Sequence, residues 1–74
     1  MISEEQFITD LKELLETDSD ITLETDLLEI NEWGSLSAVE FLVMIEDRYG
    51  IKAEPFSVAE AVFVEDLYNI VSKA

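Results

Sequence analysis

The chain has 74 residues, 49% of them hydrophobic and 30% charged, which suits one small packed domain and opposes intrinsic disorder. A chain this short buries only about 60% of the surface it exposes when unfolded, so it has little material for a deep, dry active site. Eighteen acidic against four basic residues give a formal charge of -14, and there is no cysteine and no histidine, which excludes disulfides, thiol chemistry and the commonest general base.

An enzyme is therefore not expected. Nor is a nucleic-acid binder, because Lys12, Arg48, Lys52 and Lys73 stand singly and phosphate binding needs clustered cations. A basic patch on another protein is the natural complement to this charge. No apolar run approaches the ~18 residues of a membrane span. The start, Met1-Ile2-Ser3-Glu4-Glu5, lacks the basic and apolar regions of a signal peptide, so a cytoplasmic chain is expected. Neither an internal repeat nor a linker divides residues 1–74, which read as a single domain.

Ser3 and Gln6 have capping-box spacing, and Phe7, Leu11, Leu14 and Leu15 follow at i, i+4, i+7 and i+8. They predict a first amphipathic helix over about residues 4–16. From Thr17 to Gly34 the pattern changes to a long loop, with Ile21, Leu23, Leu27, Leu28 and Ile30 spaced to pin it against a core or to form a short helix within it. Asp18, Asp20, Thr22, Glu24 and Glu29 partly match a calcium loop, but Leu23 occupies the position whose sharp turn needs glycine. No metal site is expected.

Ser35 opens a second helix that runs to about Tyr49 and stops at Gly50, a residue suited to the left-handed position after a helix. Ala38, Phe41, Leu42, Ile45 and Tyr49 share one face and are the expected core. On the other side Leu36, Glu40, Val43 and Asp47 form a stripe of alternating apolar and acidic residues. By spacing alone this stripe reads as a solvated face with two aliphatics. Pro55 then breaks the chain, Ser57 with Glu60 repeats the capping-box spacing, and Val64, Leu67, Tyr68 and Val71 lie at core spacing. Periodicity permits either one helix or two over 57–73. The class is all-α, a small bundle of three or four helices.

Paired acids give no sign of the pocket or raised pKa that a two-carboxylate hydrolase needs, and no serine has a histidine to activate it. Ser35 stands apart. It follows Trp33-Gly34 at a predicted helix N-terminus, where free N–H groups and the positive end of the helix dipole favour a phosphate ester.

The run Glu32-Trp33-Gly34-Ser35-Leu36-Ser37-Ala38-Val39-Glu40-Phe41, continuing Ile45-Glu46-Asp47-Arg48-Tyr49-Gly50-Ile51, resembles the acyl and peptidyl carrier protein family. That family has an Asp-Ser-Leu motif, a Val-Glu pair four and five residues after the serine, and an acidic, aromatic-Gly-Ile close to the helix. Ile21-Thr22-Leu23-Glu24-Thr25-Asp26-Leu27 is similar to its long first loop, and Val64-Glu65-Asp66-Leu67 to the start of its last helix, so the likeness spans essentially the whole chain. The resemblance implies a single carrier domain over 1–74 with an acyl-carrier-protein type of bundle. It also implies a 4'-phosphopantetheine arm on Ser35, transferred from coenzyme A by a phosphopantetheinyl transferase and carrying substrates as thioesters. The stripe Leu36, Glu40, Val43 and Asp47 matches positions at which the family meets partner enzymes. Those partners would be acyl- or aminoacyl-activating and acyl-transferring enzymes with basic docking patches, in fatty-acid, polyketide, nonribosomal-peptide or related biosynthesis. A monomer is expected.

The sequence departs from the pattern twice. Gly34 replaces the usual Asp before the serine, and Phe63 stands where the family often has a helix-capping Thr. Trp33 is more like the Trp-Asp-Ser-Leu of D-alanyl, peptidyl and secondary-metabolism carriers than like the fatty-acid type. Gly34 sustains one rival reading, an acidic carrier-like docking or adaptor domain that is never modified.

Overall fold

The computed structural model describes residues 2–72. Among them the chain forms four α-helices, α1 Glu4–Leu15, α2 Ser35–Tyr49, α3 Pro55–Ala59 and α4 Val64–Ser72, and one 3₁₀ turn at Leu27–Glu29. The protein is thus a small all-α bundle, as its periodicity predicts. The stretch 57–73 is divided between two helices, and its last residue lies outside the described residues. No helix described is long and apolar enough to cross a membrane.

Ser3 caps α1 as expected, its Oγ accepting the Gln6 N–H at 3.1 Å. The reciprocal half of the box is absent, because the Gln6 side chain instead donates to Asp10 at 3.0 Å. The helix ends at Leu15, and Glu16, its C-cap, takes a left-handed conformation with φ 53°. Such a conformation costs a non-glycine residue about 1 kcal/mol, offset here by the bond from the Thr17 N–H to the Lys12 carbonyl at 3.1 Å.

Phe7 and Leu11 of α1, Phe41 and Ile45 of α2, and Val64 and Leu67 of α4 are completely buried. Phe7 sits at the junction, edge-on to Phe41 at 6.0 Å and to Tyr68 at 5.3 Å between ring centres, an arrangement aromatic pairs prefer. Each such side chain contributes roughly 1.5–3 kcal/mol through burial. The buried arc of α2 comprises Ser37, Phe41, Met44 and Ile45. That arc is turned by about 70° from the predicted one at 100° per residue, so Ala38, Leu42 and Tyr49 pack at the edge of the core.

The first loop is pinned by Ile21, Leu27 and Ile30, which are buried, and by Leu23, which is partly buried. Leu28, expected with them, is 89% exposed, because the 3₁₀ turn that buries Leu27 turns its neighbour outward. The loop also bonds to the start of α4. Leu27 donates its N–H to the Val62 carbonyl at 2.9 Å, Val64 to Thr25 at 3.0 Å, and Glu65 to Leu23 at 2.8 Å. The Asp66 carboxylate reaches back to accept the N–H groups of Val62 at 2.9 Å and Phe63 at 3.0 Å. These bonds, from Phe63 first and then Val62, hold the Asp66 carboxyl below its ordinary range. The division before α4, invisible in local sequence, is made by an acid inside the helix and by carbonyls from a distant loop.

At α3 the expected capping box does not form. Pro55 occupies the first turn, Glu54 is the N-cap, Ser57 lies inside the helix, and Glu60 is its C-cap. Proline has no N–H to satisfy and a φ already suited to a helix start, so the helix begins before Ser57 could cap it.

Candidate functional site

The segment entering α2 is stitched down on both sides of the serine. On the loop side the Trp33 N–H donates to the Ile30 carbonyl at 3.0 Å, and the indole packs edge-on against Phe41 with ring centres 6.3 Å apart. On the helix side buried Ser37 donates its hydroxyl to the Glu32 carbonyl at 2.5 Å. Gly34 and Ser35 lie between these anchors, both exposed.

Gly34 is the N-cap of α2, with φ -172° and ψ -166°, an extended conformation open to any residue. A Cβ built on it would meet nothing within 4 Å. The fold therefore does not demand glycine here. Ser35 is the first residue of α2, and the first backbone bond of the helix runs from the Ala38 N–H to the Gly34 carbonyl at 2.9 Å. The N–H groups of Ser35, Leu36 and Ser37 precede that bond and have no carbonyl within the helix, and Gly34 has no side chain to cap them. The start of α4 shows the opposite arrangement, where loop carbonyls and Asp66 take up the donors.

An exposed hydroxyl at an uncapped helix N-terminus suits attachment of a phosphate-linked group. The ester would carry negative charge beside the positive end of the α2 dipole, an interaction typically worth ~0.3–1 kcal/mol. Ser35 would hold the arm, and the open space at Gly34 leaves its approach uncrowded.

All four residues of the predicted stripe are exposed on α2, Leu36 at 74% and Val43 at 62%, with Glu40 and Asp47 beside them. Val39, 57% exposed, joins them, although the spacing used to define the stripe omits it. From Leu36 to Asp47 this face extends about 16 Å along the helix axis. Val39, Glu40, Val43 and Asp47 line an open groove completed by Leu14 of α1 and by Met44 and Arg48.

Sequence reasoning missed the polar cluster at the far end of α2. Asp10 is only 4% exposed and accepts from Arg48 Nη1 at 2.9 Å, from Gln6 Nε2 at 3.0 Å and from the Tyr49 hydroxyl. Burial first, then the hydrogen bond and proximity to Asp10, push the Tyr49 phenol well above its ordinary pKa. One signal was present: Asp10 lies beside Leu11 and three residues after Phe7, on the apolar side of α1. Among the described residues no three acidic side chains are grouped so that they could hold a metal ion.

A comparison with protein-family models finds no match, and comparisons with curated proteins and with solved structures find none.

Proposed function

We propose that this chain is a cytoplasmic, non-catalytic carrier domain of acyl-carrier-protein type, modified on Ser35 with 4'-phosphopantetheine from coenzyme A. The arm, when bound, supplies the thiol that a cysteine-free chain lacks, and substrates are held on it as thioesters. The chain's own residues position the attachment point. Trp33 and Ser37 fix the two sides of the turn, and the uncapped α2 N-terminus faces the ester with free donors.

The observation that carries this reading is the exposed Ser35 at an uncapped helix start, next to the acidic and apolar face of α2. Exposed Leu36 and Val43 among Glu40 and Asp47 offer a basic-rimmed partner both apolar contact and charge complementarity. Such partners are the phosphopantetheinyl transferase and the acyl- or aminoacyl-activating and acyl-transferring enzymes that load and unload the arm.

The test is intact mass after incubation with coenzyme A and a broad-range transferase. The wild-type mass should rise by one phosphopantetheine, and Ser35→Ala should abolish the gain. A wild-type mass that stays unchanged with several transferases, including one from the source organism, favours an unmodified docking domain. Gly34 is the residue that favours this second reading, since the family's Asp would fit there without strain.

A further inference from the structure

Arg48 is the one basic residue lining the groove between α1 and α2, whose other walls are Leu14, Val39, Glu40, Val43, Met44 and Asp47. Its Nη1 donates to Asp10 at 2.9 Å and lies 3.7 Å from Glu13. Asp10 is buried and also bonded to Tyr49 and Gln6, so the anchor is itself fixed. The Arg48 side chain nevertheless remains 47% exposed. Both contacts fall on one nitrogen, and a guanidinium has five N–H donors in a rigid fork.

Resting on the reading of the α2 face as the one that meets partner enzymes, we propose that Arg48 is a specificity-determining residue. It receives a carboxylate from a partner helix whose other contacts with the groove are apolar and basic. A surface charged at -14 attracts any cationic partner, in any orientation. A single fixed cation in an acidic groove makes the pattern directional. A helix placing Lys or Arg at Glu40 and Asp47, and Glu or Asp at Arg48, fits one way round. Reversed, it sets its carboxylate against Glu40 and brings a cation toward Arg48, and such like-charge contacts disfavour the wrong orientation. Because Asp10 already holds the guanidinium, little side-chain freedom is lost on binding. The contact to Glu13 is long and that side chain is 56% exposed, so an incoming carboxylate displaces it at small cost.

The test uses the full chain, isotope-labelled and titrated at low salt with synthetic helical peptides bearing a leucine face flanked by lysines. One peptide carries a Glu in its first turn and another in its last turn, and each has a twin with Gln in that place. Wild type should bind one Glu peptide about fivefold more tightly than its Gln twin, in the range of a measurable exposed ion pair. Arg48→Gln should erase that preference. Glu13→Gln, at an exposed position that leaves the Asp10 anchor intact, should enlarge it and keeps the idea testable should Arg48→Gln fail to fold. Equal binding of the twins by wild type, or a preference that survives in Arg48→Gln, overturns the proposal. The peptides need no arm on Ser35 and the mass experiment needs no peptide, so the two readings fail separately.

Discussion

The two ends of α2 are built on opposite plans. At its C-terminus every available device is used: Gly50 adopts φ 70° and donates its N–H to Glu46 at 3.1 Å, Ile51 donates to Ile45 at 3.1 Å, and Arg48 and Tyr49 are tied to buried Asp10. At its N-terminus Gly34 contributes no side-chain cap and Ser35 lies exposed. Fixing one end of a helix allows the other to keep unsatisfied donors in a defined place, which is the condition for holding an anion with the backbone. The proposed attachment point is therefore held twice, locally by Trp33 and Ser37 and from the far end of the helix by the cluster around Asp10.

The largest effect that can break this contrast is expected at the locked end. Asp10→Ala strips the Tyr49 hydroxyl and Arg48 of a shared partner and should destabilise the domain by about 2–3 kcal/mol. That is a large share of the ~4–11 kcal/mol ordinary for a chain of this length. Urea unfolding measures it, and a midpoint unchanged from wild type would mean that the cluster does not lock the helix.

Alkaline pH probes the same end more gently. The Tyr49 pKa is raised in the fold, so the folded state keeps a proton that the unfolded chain releases near pH 10. Stability from this group is whole below about pH 10 and falls as pH rises beyond it, by at most about 1.4 kcal/mol per pH unit. Tyr49→Phe should flatten that part of a melting-temperature profile between pH 9 and 11; a slope identical in both proteins would assign the loss elsewhere.

The smallest effect belongs to the open end. Gly34→Asp should leave stability unchanged or raise it by ~0.3–1 kcal/mol, because the charge favours the helix N-terminus and glycine's freedom in the unfolded chain is removed. The extended backbone and empty surroundings impose no opposing strain. A general transferase should modify this variant faster than wild type. If it does not, glycine is not what limits recognition of the serine.

Much of this contrast is legible locally. Ser35 and Gly50 bound α2 where the sequence predicts, and the stripe Leu36, Glu40, Val43 and Asp47 emerges on an exposed face, because helix periodicity reports on neighbours three and four residues away. What escaped reading lies far along the chain. Asp10 meets Arg48 across 38 residues and Tyr49 across 39, and no pattern within one helix predicts that an acid on its apolar side will find those partners. The split before α4 has the same cause in part, since the Val64 and Glu65 donors are satisfied by Thr25 and Leu23, while those of Val62 and Phe63 are taken by nearby Asp66. At Ser57 the error runs the other way: a local motif is present, but Pro55 two residues earlier starts the helix first. The rotated arc of α2 reflects packing partners that the helix alone does not specify.

The bonds between the first loop and α4 also bear on how the domain opens. Leu27, Val64 and Glu65 belong to segments roughly forty residues apart, yet their amides are closed by one set of carbonyl pairings with Asp26 facing Phe63 in the middle. Such pairings should form and break together, so the loop and the first turn of α4 are expected to open as one cooperative unit although two helices and two connections separate them in sequence. Closing that unit requires ordering a long stretch of chain at once, so it is expected to form after the short-range turns of α1 and α2. A lengthened or loosened first loop would accordingly show itself in the amide exchange of Val64 and Glu65, at the far end of the chain from the change.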